Sequence, residues 1–110
     1  PGNLSLAQRL EGVCDQCKSV AQKIIGSGDR DEFVRRFRDT RNWYTHYNPT
    51  REMKAAKGTA LFVLLTQLQA LLEMSLMRQL GFGCRQIDQI FERTRRYAET
   101  AAEEAAGVGP

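Results

Sequence analysis

Few features of this 110-residue chain interrupt a helix. It has three prolines, and two lie at the extreme ends, so Pro49 is the one internal stop. No alternating strand pattern, internal repeat or low-complexity block appears, which argues against sheet and solenoid architectures. Charge of one sign is also scarce. Sixteen basic and thirteen acidic residues leave a net +3, too little to mark a nucleic-acid binder by itself. Three cysteines cannot all pair within one chain. With no secretory signature they read as reduced, and the expected compartment is the cytoplasm. There is a single histidine, His46, so any histidine chemistry must run through it.

What is present is enough apolar residue, 42% of the chain, to bury one core but not two. The expectation is one helical domain over residues 1–110, with 1–3 and 106–110 frayed. The first residue is proline, which suggests a domain excised from a larger protein with further domains.

Four helices account for the pattern. The first is expected from about Leu4 to Ile25, with Leu6, Leu10, Val13, Cys17, Ala21 and Ile24 on one face. Gly26-Ser27-Gly28 ends it. The second starts near Asp29, where Asp29, Asp31 and Glu32 suit the positive end of the helix dipole. It turns Phe33, Phe37 and Tyr44 inward, with Val34 flanking, and stops near Asn48 because Pro49 disfavours helix in the residue before it.

The third helix is expected from about Arg51 to Leu80, with a stripe of Leu61, Leu64, Leu65, Leu68 and Leu72. Phe62, Val63, Leu71, Met74, Leu76 and Met77 spread apolar surface around most of its circumference, more than three neighbouring helices would cover. Part of it is expected to face a second protomer. Gln67, Gln69, Glu73, Arg78 and Gln79 interrupt the run, which favours a core helix over a membrane span. The fourth helix is expected from about Arg85 to Ala105, with Ile87, Ile90, Phe91, Thr94 and Ala98 inside. The fold class is all-α: an up-down bundle of about four helices, dimeric through a wide apolar helix face.

The chemistry concentrates in Arg41-Asn42-Trp43-Tyr44-Thr45-His46. Asn42 and His46 are four apart and share a helix face; Arg41 is displaced around it but long enough to swing back. Cleaving RNA through the neighbouring 2′-hydroxyl needs a group that moves a proton near neutral pH, and imidazole is one. It also needs a cation that forks onto phosphate oxygens, and arginine does so better than lysine. Asn42 can orient the imidazole or the phosphate by hydrogen bonding. No metal or other cofactor is required, because the RNA carries its own nucleophile. One chain offers one histidine, so paired acid and base roles point to two copies across a two-fold axis. Taken alone, such a trio at a helix end also fits a capping or salt-bridging set.

The pattern extends beyond the trio. Asp39 to Asn48 is followed by Lys54-Ala55-Ala56-Lys57-Gly58, then by Leu61, Leu68, Leu71-Leu72-Glu73 and Leu80-Gly81-Phe82. Over roughly Asp31 to Phe91 this resembles the HEPN domain that ends ApeA-like anti-phage proteins. The resemblance implies a domain that dimerises, pairs two motifs across the interface and cleaves RNA without metal, halting growth of an infected cell. It puts Arg41, Asn42 and His46 in the catalytic positions. A toxin subgroup of HEPN proteins carries tyrosine two residues after the histidine. Here that residue is Asn48, so control by tyrosine modification is not carried over.

Around the motif, Arg38 within the arginine cluster, Trp43, Tyr47, Lys54 and Lys57 are the candidate RNA contacts, by phosphate attraction or base stacking. Solvated helix faces and core packing explain the same residues structurally. Cys14-x-x-Cys17 has the spacing of half a zinc site, but too few ligands remain to complete one. The sequence thus points to a metal-independent RNA endonuclease domain acting as a homodimer on RNA. The alternative is a non-catalytic dimerisation or RNA-binding module of a larger protein.

Overall fold

A computed structural model describes residues 4–26, 28–46, 55–94 and 97. Among these the chain is all helical, with five helices: α1 Leu6–Gln16, α2 Lys18–Ile25, α3 Arg30–His46, α4 Thr59–Gln79 and α5 Cys84–Arg93.

The first expected helix is two. Ser5 opens α1 with a reciprocal cap: its hydroxyl accepts the Gln8 N–H at 3.1 Å, and the Gln8 side chain accepts the Ser5 N–H at 2.9 Å. Cys17 then leaves helical geometry (φ −145°, ψ 82°), and its carbonyl restarts the ladder by accepting the Ala21 N–H at 2.9 Å. The break falls at a covalent link. Cys17 is bonded to Cys84, with Cα atoms 5.6 Å apart, which corrects the expectation of three reduced cysteines. Leu10, Cys14, Cys17, Ala21 and Ile24 are buried as one face across the break, with Leu6 and Val13 half-buried. Gly26, at φ 87°, ends α2 as its N–H bonds back to the Gln22 carbonyl.

Phe33 and Val34 anchor α3 in the core, and Phe37 packs at its edge. Tyr44, expected inside, is 43% exposed instead. The described part of α3 ends at His46; its expected end at Asn48 lies outside the described residues.

Helix α4 begins at Thr59, later than expected, after a non-helical Ala55–Gly58 segment. Its buried face is Val63, Leu64, Gln67, Ala70, Leu71 and Met74, rotated from the expected leucine stripe. Of that stripe only Leu64 is buried; Leu61 and Leu68 are half-buried, and Leu65 and Leu72 are exposed. Leu71 and Met74 are 0% exposed, and burial of each contributes about 1.5–3 kcal/mol. Gln67 is a buried polar residue on this face. Its amide donates to the Ile25 carbonyl at 3.0 Å, satisfying an acceptor left open at the end of α2. By length and hydropathy alone α4 is long enough to cross a membrane; here it packs on α1, α2 and α5.

At the other end of α4, Gly81 at φ 100° lets its N–H reach the Arg78 carbonyl (3.1 Å) and the Phe82 N–H reach that of Met77 (3.0 Å), the paired bonds of a Schellman stop. Helix α5 then buries Ile87 and Phe91 completely or nearly so. Ala98 and the rest of the expected fourth helix beyond Tyr97 lie outside the described residues.

Candidate functional site at the end of helix α3

The motif occupies the last turn and a half of α3, and a clamp on the opposite face holds it. Thr40, buried, accepts the Ala56 N–H on its hydroxyl at 2.9 Å. One turn later the Tyr44 hydroxyl donates to the Ala56 carbonyl at 3.2 Å. Both polar groups of one peptide residue are therefore taken by side chains at i and i+4, which share a face. With 3.6 residues per turn, Asn42 and His46 fall on the far side of the helix from Thr40 and Tyr44. Arg41 and His46 are accordingly exposed and Asn42 half-buried.

Arg41 and Asn42 are brought together directly: Arg41 Nη1 donates to Asn42 Oδ1 at 3.3 Å. The bond draws the guanidinium around the helix toward the face Asn42 shares with His46. A cation, an amide and an imidazole are thus gathered on the last turns of a helix, Arg41 and His46 exposed and Asn42 half-buried.

Beside them the Lys57 ammonium lies 5.3 Å from the centre of the Trp43 ring. Trp43 is half-buried and Lys57 exposed, so the pair forms a flat edge with a positive rim. Arg38 stands further back. Its Nη2 lies 3.4 Å from Asp39 Oδ1, and its buried Nε meets no acceptor among the described residues. Arg38 also lines a surface hollow with Arg35, Asp29, Asp31 and Glu11, so its surroundings are of mixed sign. Tyr47 and Lys54 lie outside the described residues.

Sequence reasoning missed Thr40, Asp39 and Ala56, all buried. A threonine immediately before the motif, one turn from a tyrosine, was the available signal for the clamp. The Cys14-x-x-Cys17 pair does not act as two ligands, since Cys14 is a buried free thiol and Cys17 is bonded to Cys84. Among the described residues no three His, Cys, Asp or Glu side chains gather as a metal site.

The family model described as Apea-like HEPN matches residues 2–86. No curated protein and no solved structure gives a significant match.

Proposed function

The chain belongs to the Apea-like HEPN family, and from that premise we propose that it is a metal-independent RNA endonuclease domain whose site is composed of two copies of Arg41, Asn42 and His46. The observation that carries this reading is the Arg41–Asn42 contact on the solvent face of a clamped helix end. Two chemically suited side chains are held together there, and a third, His46, stands one turn on.

In the proposed reaction one imidazole takes the proton of the RNA 2′-hydroxyl, whose oxygen attacks the adjacent phosphorus. The imidazole of the second copy gives a proton to the departing 5′-oxygen. The Arg41 guanidinia bind the phosphate oxygens as charge builds on them. Asn42 positions Arg41. The products are a 2′,3′-cyclic phosphate and a 5′-hydroxyl, formed without a metal-activated water. Trp43 offers a ring for base stacking and Lys57 a cation for the next phosphate, with Arg38 behind. Tyr47 and Lys54 keep their proposed roles as RNA contacts. The proposed setting is cytoplasmic, within a larger anti-phage or stress-defence protein.

A second copy is supported by α4. Phe62, Leu65, Gln69, Leu72 and Leu76 are exposed along it at alternating steps of three and four, with Leu80 just beyond its end. This is the spacing of a coiled-coil seam, opposite the buried face. The orientation matters. The motif end of α3 sits over Ala56 and Lys57, at the N-terminal end of α4. An antiparallel pairing about Leu71 would hold the two motifs roughly 40 Å apart, from 1.5 Å of rise per residue. A composite site therefore takes a two-fold axis running along α4, which stacks Gln69 on Gln69 of the partner subunit within the seam. The same exposed seam also favours a non-catalytic assembly module.

Incubation with RNA in EDTA tests the proposal. The parent is expected to leave cyclic-phosphate ends, and His46→Ala and Arg41→Ala to leave RNA intact. Equal activity in all three, or no turnover by a dimeric parent, removes the nuclease reading; the second outcome leaves the assembly module.

A further inference from the structure

Both cysteines of the disulfide stand at the start of a helix. Cys17 caps α2, and Cys84 is the first residue of α5. Each is followed by an exposed cation, Lys18 and Arg85. All four residues line one surface hollow of about 450 Å³. Asp88 also lines it, but its carboxylate is bound by the Lys23 ammonium at 3.0 Å and the Tyr97 hydroxyl at 3.0 Å. Lys18 and Arg85 therefore set the sign of the hollow. The two sulfur-bearing residues differ in access: Cys17 is 4% exposed, whereas Cys84 is only half-buried.

From this geometry we propose that Cys17–Cys84 is a reversible thiol–disulfide exchange site for a small thiol that carries carboxylates, entered at Cys84. The carboxylates lie against Lys18 and Arg85. The thiolate of the small molecule gives an electron pair to Cys84 Sγ, a new S–S bond forms there, the Cys17–Cys84 bond breaks, and Cys17 leaves as a thiolate. A second small thiol attacks the mixed disulfide and frees Cys84. Two small thiols are thereby oxidised to one disulfide, and the protein's bond is reduced to two thiols that take up the two protons.

The positions favour each step. Thiolates are stabilised at helix N-termini and beside cations, and a more acidic thiol is the better leaving group. Cys84, half-buried at the start of α5 and followed by Arg85, has both features when the bond re-forms. Cys17, the departing group, has the start of α2 and Lys18 in its favour, set against its burial and the end of α1 that it also caps. Cys14 is the internal contrast. It is 0% exposed and burial pushes its thiol pKa up, so it stays outside the exchange although it lies one turn from Cys17. The site uses no residue of the Arg41–His46 motif.

The test uses the full oxidised chain with reduced glutathione, quenched in acid and read by intact mass and peptide mapping. Cysteamine, a cationic thiol, and uncharged mercaptoethanol serve as comparisons at equal thiolate concentration. The expected result is a glutathione adduct on Cys84, unmodified Cys14, and exchange faster with glutathione than with cysteamine. Arg85→Gln is expected to slow the glutathione reaction about fivefold beyond any slowing of the mercaptoethanol reaction, which reports the effect of the charge on the thiolate alone; about fivefold is the scale of one screened charge contact. Several results would overturn the proposal: three free thiols in the air-oxidised chain, an adduct on Cys17 or Cys14, no adduct with glutathione, or cysteamine reacting as fast.

Discussion

The Thr40 hydroxyl accepts the backbone N–H of Ala56 at 2.9 Å, sixteen residues away and in a buried setting. This bond fixes the rotation of α3 at its C-terminal end, and so fixes which side chains of the motif meet solvent. Thr40→Val keeps the shape and removes the acceptor, leaving a buried N–H unpaired. The expected cost is about 1–3 kcal/mol in denaturant unfolding. RNA cleavage is expected to fall by more than the unfolded fraction explains, because the motif loses its rotational anchor. Tyr44→Phe, at a 43% exposed residue, is expected to cost less.

His46 and Arg41 are exposed, so their removal is a chemical change and not a structural one. His46→Ala and Arg41→Ala are expected to unfold within about 0.5 kcal/mol of the parent. Cleavage is expected to drop by at least about a hundredfold for His46→Ala, the usual scale of general acid–base catalysis. Asn42→Ala, which releases Arg41, is expected to lose less. Parallel unfolding curves and RNA cleavage rates check both.

The two sides of α4 separate assembly from folding. Leu72→Glu lies on the exposed seam, at a residue 53% exposed, and is expected to give a folded monomer by sedimentation. Leu71→Ala, at a residue 0% exposed, is expected to cost about 2–5 kcal/mol of stability. A Leu72→Glu chain that still sediments as a dimer would move the interface elsewhere.

The Lys23 ammonium donates to both Asp88 oxygens, at 3.0 and 3.2 Å, and this contact holds the Asp88 carboxyl below its ordinary range. A carboxyl whose pKa is lower folded than unfolded stabilises the fold above the unfolded value, about 3.9. That stability is lost as pH falls from there through the folded value. Both partners are partly exposed, so the contact is worth under about 1 kcal/mol. Lys23→Met is expected to be slightly less stable than the parent near neutral pH and to converge with it in acid. Unfolding curves from about pH 6 to pH 2.5 follow the convergence.

Periodicity made part of this molecule legible. Leu10, Ala21 and Ile24 were readable as one face because polar residues separate them. Helix α4 gave a blunter signal, since every position from Leu61 to Leu65 is apolar, and only packing decides that Leu64 turns inward and Leu65 outward. Gln67 read as an interruption of the apolar run, yet it is buried because it closes the end of α2. Tyr44 misled in the opposite sense: its side chain is amphipathic, and it stays partly exposed while its hydroxyl donates to the carbonyl of buried Ala56. The Cys17–Cys84 bond was invisible, its ends 67 positions apart in sequence and an odd third cysteine beside one of them. Of the candidate site, the face shared by Asn42 and His46 was legible from spacing, whereas the partner of the Thr40 and Tyr44 hydroxyls, Ala56, lies in a non-helical segment that helical periodicity does not locate.

The most direct measurement of the composite site mixes parent chains with His46→Ala chains, allows subunits to exchange, and follows RNA cleavage against the parent fraction. If each scission uses an imidazole from both copies, activity follows the square of that fraction, so an equal mixture retains about a quarter of the parental rate at fixed total protein. A straight-line decline, with about half the rate at equal mixing, would show that each chain cuts alone and would contradict the account.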